Sequence, residues 1–171
     1  MKTLKILFAA VVLVGFTTSA LAQNNTDSDS DELNATAVIL ADLNVTQEND
    51  LDFGQLFPGE DSEVALDNES AGRFLVDAAD GSSVTLELTG LGDLALVGDS
   101  ETTLPTTFTA GWAEDDEYDN GATEWTDPNQ QLSITGTPAS FYVFLGGTVT
   151  PDPNQTPGTY EKEITLTAEY N

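Results

Sequence analysis

The last stretch of the chain, residues 159–171, alternates between apolar and polar side chains with a period of two. The opposite parity is occupied by glutamates and threonines, which suit water. Successive side chains of a strand point to opposite faces, so this pattern predicts a half-buried strand lying on a core. Its apolar members are Tyr160, Ile164, Leu166, Ala168 and Tyr170.

Shorter alternating runs fill the rest of the chain after residue 34, and clusters of Gly, Pro, Asn and Asp separate them. No stretch keeps helical spacing for three turns. Strands at this spacing, about 8–12 residues apart, are typical of sandwiches and barrels. We therefore predict an all-β, immunoglobulin-like sandwich formed by one domain, residues 34–171. Its expected core is Ile39, Leu43, Phe53, Phe74, Val76, Val84, Leu86, Phe108, Trp112, Ile134, Val143, Leu145, Tyr160, Ile164 and Leu166.

The N-terminus has the pattern of a secretory signal peptide. Lys2 and Lys5 precede an apolar run, residues 6–16, that is too short to span a bilayer. Small residues at 19–22 form a cleavage site, so residues 1–22 are predicted to be removed. The product is then exported to the periplasm, the cell surface or the medium, with no membrane span in the mature chain. Residues 23–33 are polar and acidic, and we expect a disordered leader there.

Charge and composition exclude several classes of function. The chain has 30 Asp and Glu against 4 Lys and Arg, a net charge of -26. Nucleic acid and anionic membranes are poor partners for such a surface. Histidine and cysteine are both absent, which removes imidazole bases, thiolate nucleophiles and disulfides. With no catalytic triad or phosphate loop, the sequence predicts a protein that is not an enzyme and has no cofactor beyond a weak calcium ion.

The calcium candidate is the acidic stretch at residues 114–121. Asp115, Glu117 and Asp119 stand at alternate positions before Gly121, and hard oxygen ligands at this density suit calcium. The position of a closing bidentate acid, eleven residues after Asp115, is Thr126. A solvated acidic loop without metal is the alternative, because runs of acids are usually solvated.

Two sets of motifs resemble known families. Leu51-Asp-Phe-Gly54 with Phe57-Pro-Gly59, then Leu145-Gly-Gly-Thr-Val and Asn154-Gln-x-Pro-Gly-Thr-Tyr160, are similar to the secreted bacterial "domain of unknown function 4402" family. That resemblance covers the domain from residue 34 onward and implies no activity for any residue.

The C-terminal strand also resembles that of chaperone–usher pilins. Gly158 is fourteenth from the end and Tyr170 is penultimate, as in those subunits. The resemblance implies a pilin-like sandwich, with a C-terminal strand that accepts a strand from a periplasmic chaperone or another copy. The acceptor candidates are Gly158, Tyr160, Ile164, Leu166, Ala168 and Tyr170. The donor would be residues 34–46, whose candidate face is Ile39, Ala41, Leu43 and Val45. The missing disulfide and the long acidic leader depart from the pilin pattern.

The sequence thus leaves two functions open. One is a structural fimbrial, pilus-like or surface-assembly subunit that uses β-strand addition. The other is a self-contained monomeric secreted or surface adhesive module, stabilised by calcium, in which residues 34–46 are only the first strand of a complete sandwich.

Overall fold

A computed structural model describes residues 30–37, 39, 42–119 and 121–171. The predicted signal peptide, residues 1–22, and most of the predicted leader lie outside these residues. Residues 30–37 and Ile39 are exposed and have no regular secondary structure. Across the described part of the chain no helix is long and apolar enough to cross a membrane.

Strands are the only regular secondary structure among the described residues, and every pairing between them is antiparallel, which confirms the all-β prediction. The first six strands are β1 Asn44–Asn49, β2 Ser62–Val64, β3 Gly72–Asp77, β4 Ser83–Thr89, β5 Leu94–Leu96 and β6 Asp99–Leu104. The others are β7 Thr106–Ala113, β8 Thr123–Trp125, β9 Leu132–Thr135, β10 Ser140–Val149, β11 Tyr160–Glu161 and β12 Thr165–Tyr170.

These strands make a sandwich with a small third sheet. The first sheet has the order β1-β3-β10-β7-β8, and β2 pairs with the far end of β10. The second sheet has the order β12-β4-β9, and the small sheet has the order β11-β5-β6. The inner faces of the two main sheets contribute to one hydrophobic core, which contains Val76, Val84, Leu86, Phe141 and Leu166.

Strand β10 is the centre of the larger sheet. It pairs with β3 from Ser140 to Leu145 and with β7 from Tyr142 to Val149. Its glycine pair makes this crowding possible: a Cβ at Gly146 would collide with the carbonyl oxygen of Val64, and one at Gly147 with that of Thr107. The smallest residue is therefore required where three strands approach most closely.

Most of the predicted core is correct. Val76, Val84, Leu86, Ile134, Val143, Leu145 and Leu166 are buried, and Leu43, Phe74, Phe108, Trp112 and Ile164 are partly buried against them. The sequence missed Phe141, which is fully buried with its ring 5.9 Å from that of Trp112 in an edge-to-face contact. Ile39 was wrongly expected in the core, because its side chain is 95% exposed.

Two long predicted strands have different bounds. The predicted strand at 34–46 begins only at Asn44 and continues to Asn49, whose amide nitrogen Nδ2 donates to the carbonyl oxygens of Glu69 (3.0 Å) and Ala71 (2.7 Å). The predicted C-terminal strand divides into β11 in the small sheet and β12 in the second sheet. Between them the chain crosses from one sheet to the other, past Gly90, whose Cα hydrogen faces the carbonyl of Glu163 so closely that a Cβ would clash.

Phe141→Ala should destabilise the domain by about 3–5 kcal/mol, because it removes a fully buried ring and leaves a cavity between the sheets. Phe57→Ala is the matched control. Its ring is 73% exposed, so its removal should change the free energy of unfolding by no more than about 0.5 kcal/mol. Urea unfolding followed by tryptophan fluorescence measures both values, and equal effects of the two substitutions would contradict the described core.

Candidate assembly surface

Strand β12 lies at an edge of its sheet. One side pairs with β4 along the whole strand, from Thr165 opposite Thr89 to Tyr170 opposite Val84. Within the described residues no strand pairs with its other side. Strand β1 is the edge of the first sheet and lies near β12, but the two are not paired through their backbones. An edge strand of this kind is a template for an added strand.

An open groove of about 440 Å³ lies beside the start of β12. Its floor is apolar and includes Phe74, Phe108, Leu145 and Ile164. Its rim is polar and comes from the end of β1 and from the crossing between β11 and β12. The groove therefore combines apolar pockets with a nearby strand edge, as β-strand addition requires.

A second groove, of about 550 Å³, adjoins the first and shares Leu51, Phe53, Leu94 and Tyr160 with it. Residues 51–58 form one wall, residues 155–160 form the other, and Leu104 and Val149 contribute to the floor. The shared residues make the two grooves neighbours, and we treat the pair as one channel. We call this channel the inter-sheet groove.

The wall at residues 51–58 has no regular secondary structure, yet its backbone is fixed at both ends. The amide of Asp52 donates to the carbonyl of Ser70 (3.0 Å), and that of Gly59 donates to Pro151 (3.2 Å). Asp52 Oδ1 accepts from the amide of Gly54 (2.8 Å), whose φ of 75° is readily adopted only by glycine. These contacts fix the position of this wall of the groove.

The predicted acceptor residues take two kinds of position. Ile164, Leu166, Ala168 and Tyr170 pack on the main core from β12 and the residue before it. Tyr160 lies in the small sheet, where its hydroxyl donates to the carbonyl of Thr156 (2.7 Å) and contacts Gln155 Nε2 (2.7 Å). Gly158 packs against the side chain of Leu96, whose Cδ1 would have to move to admit a side chain at this position. The Tyr170 hydroxyl accepts from the amide of Ala79 (2.7 Å) and so joins the end of β12 to the loop between β3 and β4.

The residues of the predicted donor face do not share one environment in the structure. Val45 lies in β1 opposite Val76 of β3, and Leu43 packs against the core, so both are used within their own domain. Ile39 is almost fully exposed. Ala41 lies outside the described residues.

The acidic loop has a structural role that the sequence did not reveal. Arg73 Nη1 donates to the carbonyl of Asp116 (2.9 Å), and Arg73 Nε forms an ion pair with Glu48 Oε2 at 3.0 Å, without hydrogen-bond geometry. The ring of Tyr118 packs over Gly111 and edge-on to Phe144 at 5.5 Å. Burial, with a smaller effect of Glu124, raises the pKa of Tyr118. The loop is thus attached to the outer face of the first sheet.

The calcium candidates Asp115, Glu117 and Asp119 are exposed. Asp119 Oδ1 accepts from the amide of Gly121 (2.8 Å), which closes a turn. Among the described residues, no three acidic side chains lie close enough to hold a metal ion. Calcium binding here stays a prediction.

Arg73→Gln should detach the acidic loop and lower the free energy of unfolding by about 1 kcal/mol. It removes a half-exposed ion pair and a cation–π contact with Tyr142, whose ring centre is 5.7 Å away. Lys162→Gln makes the same change in net charge at a cation for which the described residues show no ion pair. Hydrogen exchange should speed up at residues 114–119 in the first variant only; equal rates in both would contradict the anchoring role.

Comparison with solved structures gives a distant likeness. One solved chain, described as "Chaperone-tip adhesin complex is vital for synergistic activation of CFA/I fimbriae biogenesis", is 14% identical with a TM-score of 0.46. The match covers 75% of this chain and 42% of that chain, so the protein spans less than half the length of this neighbour. No curated protein matches the chain.

A family comparison is more specific. The model of the family described as "Domain of unknown function (DUF4402)" matches residues 43–170, which includes every strand described above. The match begins at the residue before β1 and ends at the last residue of β12. The chain belongs to the DUF4402 family.

Proposed function

We propose that this protein is an exported, non-catalytic structural subunit of a fimbria-like or other surface assembly, and that it joins its partners by β-strand addition. The observation that carries the proposal is the edge of β12 beside the apolar inter-sheet groove. An added strand would pair with β12 through its backbone, and its alternate side chains would enter the groove.

The geometry supports the receiving half of this mechanism. Ile164, Leu166 and Ala168 turn their side chains toward the core, so the edge of β12 presents backbone groups next to apolar surface. Phe74 and Phe108 line the groove and are only partly buried, with the buried Leu145 beneath them. Covering this surface with a strand is favourable by about 25 cal/mol for each Å² of apolar area removed from water.

The donating half lies upstream of β1. Leu43 and Val45 serve their own domain, which restricts the free donor to residues 34–42, with Ala35, Ala37, Ile39 and Ala41 on one face by strand alternation. Ile39 is the large apolar residue of this face and is 95% exposed. The described residues of this alternating segment, 34–37, 39 and 42, are exposed, and the edge of β12 lies beside an apolar groove, so we infer that the two combine between copies.

Export and partners follow the sequence predictions. The signal peptide sends the chain to the periplasm, where a chaperone would cover the edge of β12 before assembly at the cell surface. The alternative is a self-contained monomeric adhesive module. The pairing of β1 with β3 over Asn44 to Asn49 favours the monomeric module, because the chain's own strand occupies this edge of the domain.

Ile39→Asp should abolish polymer formation by the exported chain, residues 23–171, because a charged side chain is costly to bury in an apolar groove. Leu33→Asp is the matched control, since Leu33 is 92% exposed and lies before the donor segment. Size-exclusion chromatography with light scattering in about 0.5 M salt, where repulsion is screened, measures the mass of each protein.

Polymers of the unchanged chain and of L33D, with a monomeric I39D of unchanged melting temperature, are expected. Stable monomers in all three cases would contradict the proposal and leave the monomeric module.

The monomeric module makes a separate prediction for calcium. If the acidic loop binds calcium with a Kd of about 1 mM, about 5 mM calcium should raise the melting temperature by a few degrees. Magnesium at the same concentration controls for screening, and D115N combined with D119N should remove the calcium-specific part. Equal shifts with both ions would contradict a calcium site.

A further inference from the structure

The rim of the inter-sheet groove is acidic. Asp50, Asp52, Glu161 and Glu163 line it with exposed side chains. Lys162 is the cation among the lining residues. The apolar floor and the β12 edge make this a place for an extended segment, and the carboxylates around it decide which segment binds best.

The rest of the chain does not offset this charge. The chain has 30 acidic and 4 basic residues, and two of the basic residues, Lys2 and Lys5, are in the predicted signal peptide. Arg73 contacts Glu48 and the acidic loop. The groove therefore sits in a negative potential that extends about 8 Å into solution at physiological salt.

The chain's own donor segment is poorly matched to this rim. The free donor, residues 34–42, contains no Lys or Arg, and neither do residues 43–46 that complete the predicted donor strand; the charged residue of the whole strand is Asp42. The leader before them adds Asp27, Asp29, Asp31 and Glu32. A second copy would fill the apolar floor but would bring negative charge to a negative rim, so repulsion weakens its addition at low salt.

We propose that the inter-sheet groove is selective for a basic extended segment of a different protein, in which apolar residues alternate with Lys or Arg, and that it binds such a segment more tightly than the chain's own. The apolar face would enter the groove, and the cations would reach the rim carboxylates. This inference rests on the proposed function, because it names the partner chemistry of the same surface.

Opposite salt dependence follows from this assignment. Addition of a second copy should strengthen as salt screens repulsion, whereas binding of a basic segment should weaken as salt screens attraction. Raising the salt concentration would then change the favoured occupant of the groove from a segment of another protein to the segment of a second copy of this chain.

The test uses the exported chain, residues 23–171, and three labelled peptides. The first is residues 34–46, the second carries T36K, N44K and T46K, and the third carries T36E, N44E and T46E. All three keep the same apolar face, so only charge differs. Fluorescence anisotropy gives each Kd at about 0.05, 0.15 and 0.5 M salt.

The lysine peptide should bind about tenfold more tightly than the unchanged peptide at the lowest salt, and the glutamate peptide more weakly than both. The difference should shrink to about twofold at the highest salt. Equal binding of the lysine and glutamate peptides at low salt would overturn the selectivity and leave strand addition standing. No binding by any peptide would contradict the proposed function itself.

Two protein variants distinguish the effect of the rim carboxylates on peptide binding from the effect of the overall net charge. E161Q with E163Q removes two rim carboxylates, and E101Q with E114Q removes two exposed carboxylates that do not line the groove. The lysine preference should fall at least about threefold in the first variant and stay in the second. An equal loss in both would overturn a role for the rim.

Discussion

The pairing of β10 on both of its sides is the constraint on which the rest of the structure depends. Among the described strands, β3 and β7 both pair with this strand and not with each other, and Phe141, Val143 and Leu145 on its inner face meet the second sheet across the core. Each backbone group of a buried strand needs a hydrogen-bond partner, and pairing on both sides supplies partners along most of β10. The glycine pair at 146 and 147 allows three strands to approach one another at its far end.

In a sandwich built around one central strand, the edge strands have a pairing partner on one side only. β12 pairs with β4 alone among the described strands, and the chain reaches it by crossing from the small sheet. The inter-sheet groove lies at this crossing, where neither sheet covers the apolar side chains of the other. In the proposed mechanism, the carboxylates that surround the groove would disfavour pairing between identical edges, because like charges repel. Negative charge and an open edge would then act together, since the edge would accept a partner of opposite charge more readily than a second copy.

Alternation along the sequence predicted the main sheets well. Val84, Leu86, Val143 and Leu166 are buried as their parity requires. Alternation failed at Ile39, which has the right parity but no strand to pair with among the described residues. It also failed to show the division of the C-terminal run, because the apolar parity of residues 160–170 is interrupted only by Lys162, at the point where the chain changes sheets. The anchoring of the acidic loop by Arg73 had no local signal, since its partners are Glu48, Asp116 and Tyr142.

The sequence alone determined the class of structure and the character of its surface. Period-two patterning and frequent turn residues are local properties, and charge and the lack of His and Cys are matters of composition. Tertiary structure decided which strand is central, which is an edge, and where the groove opens. Those outcomes depend on pairings between distant residues, such as the bond from Ala79 to the Tyr170 hydroxyl, and a strand's own residues do not specify its partner.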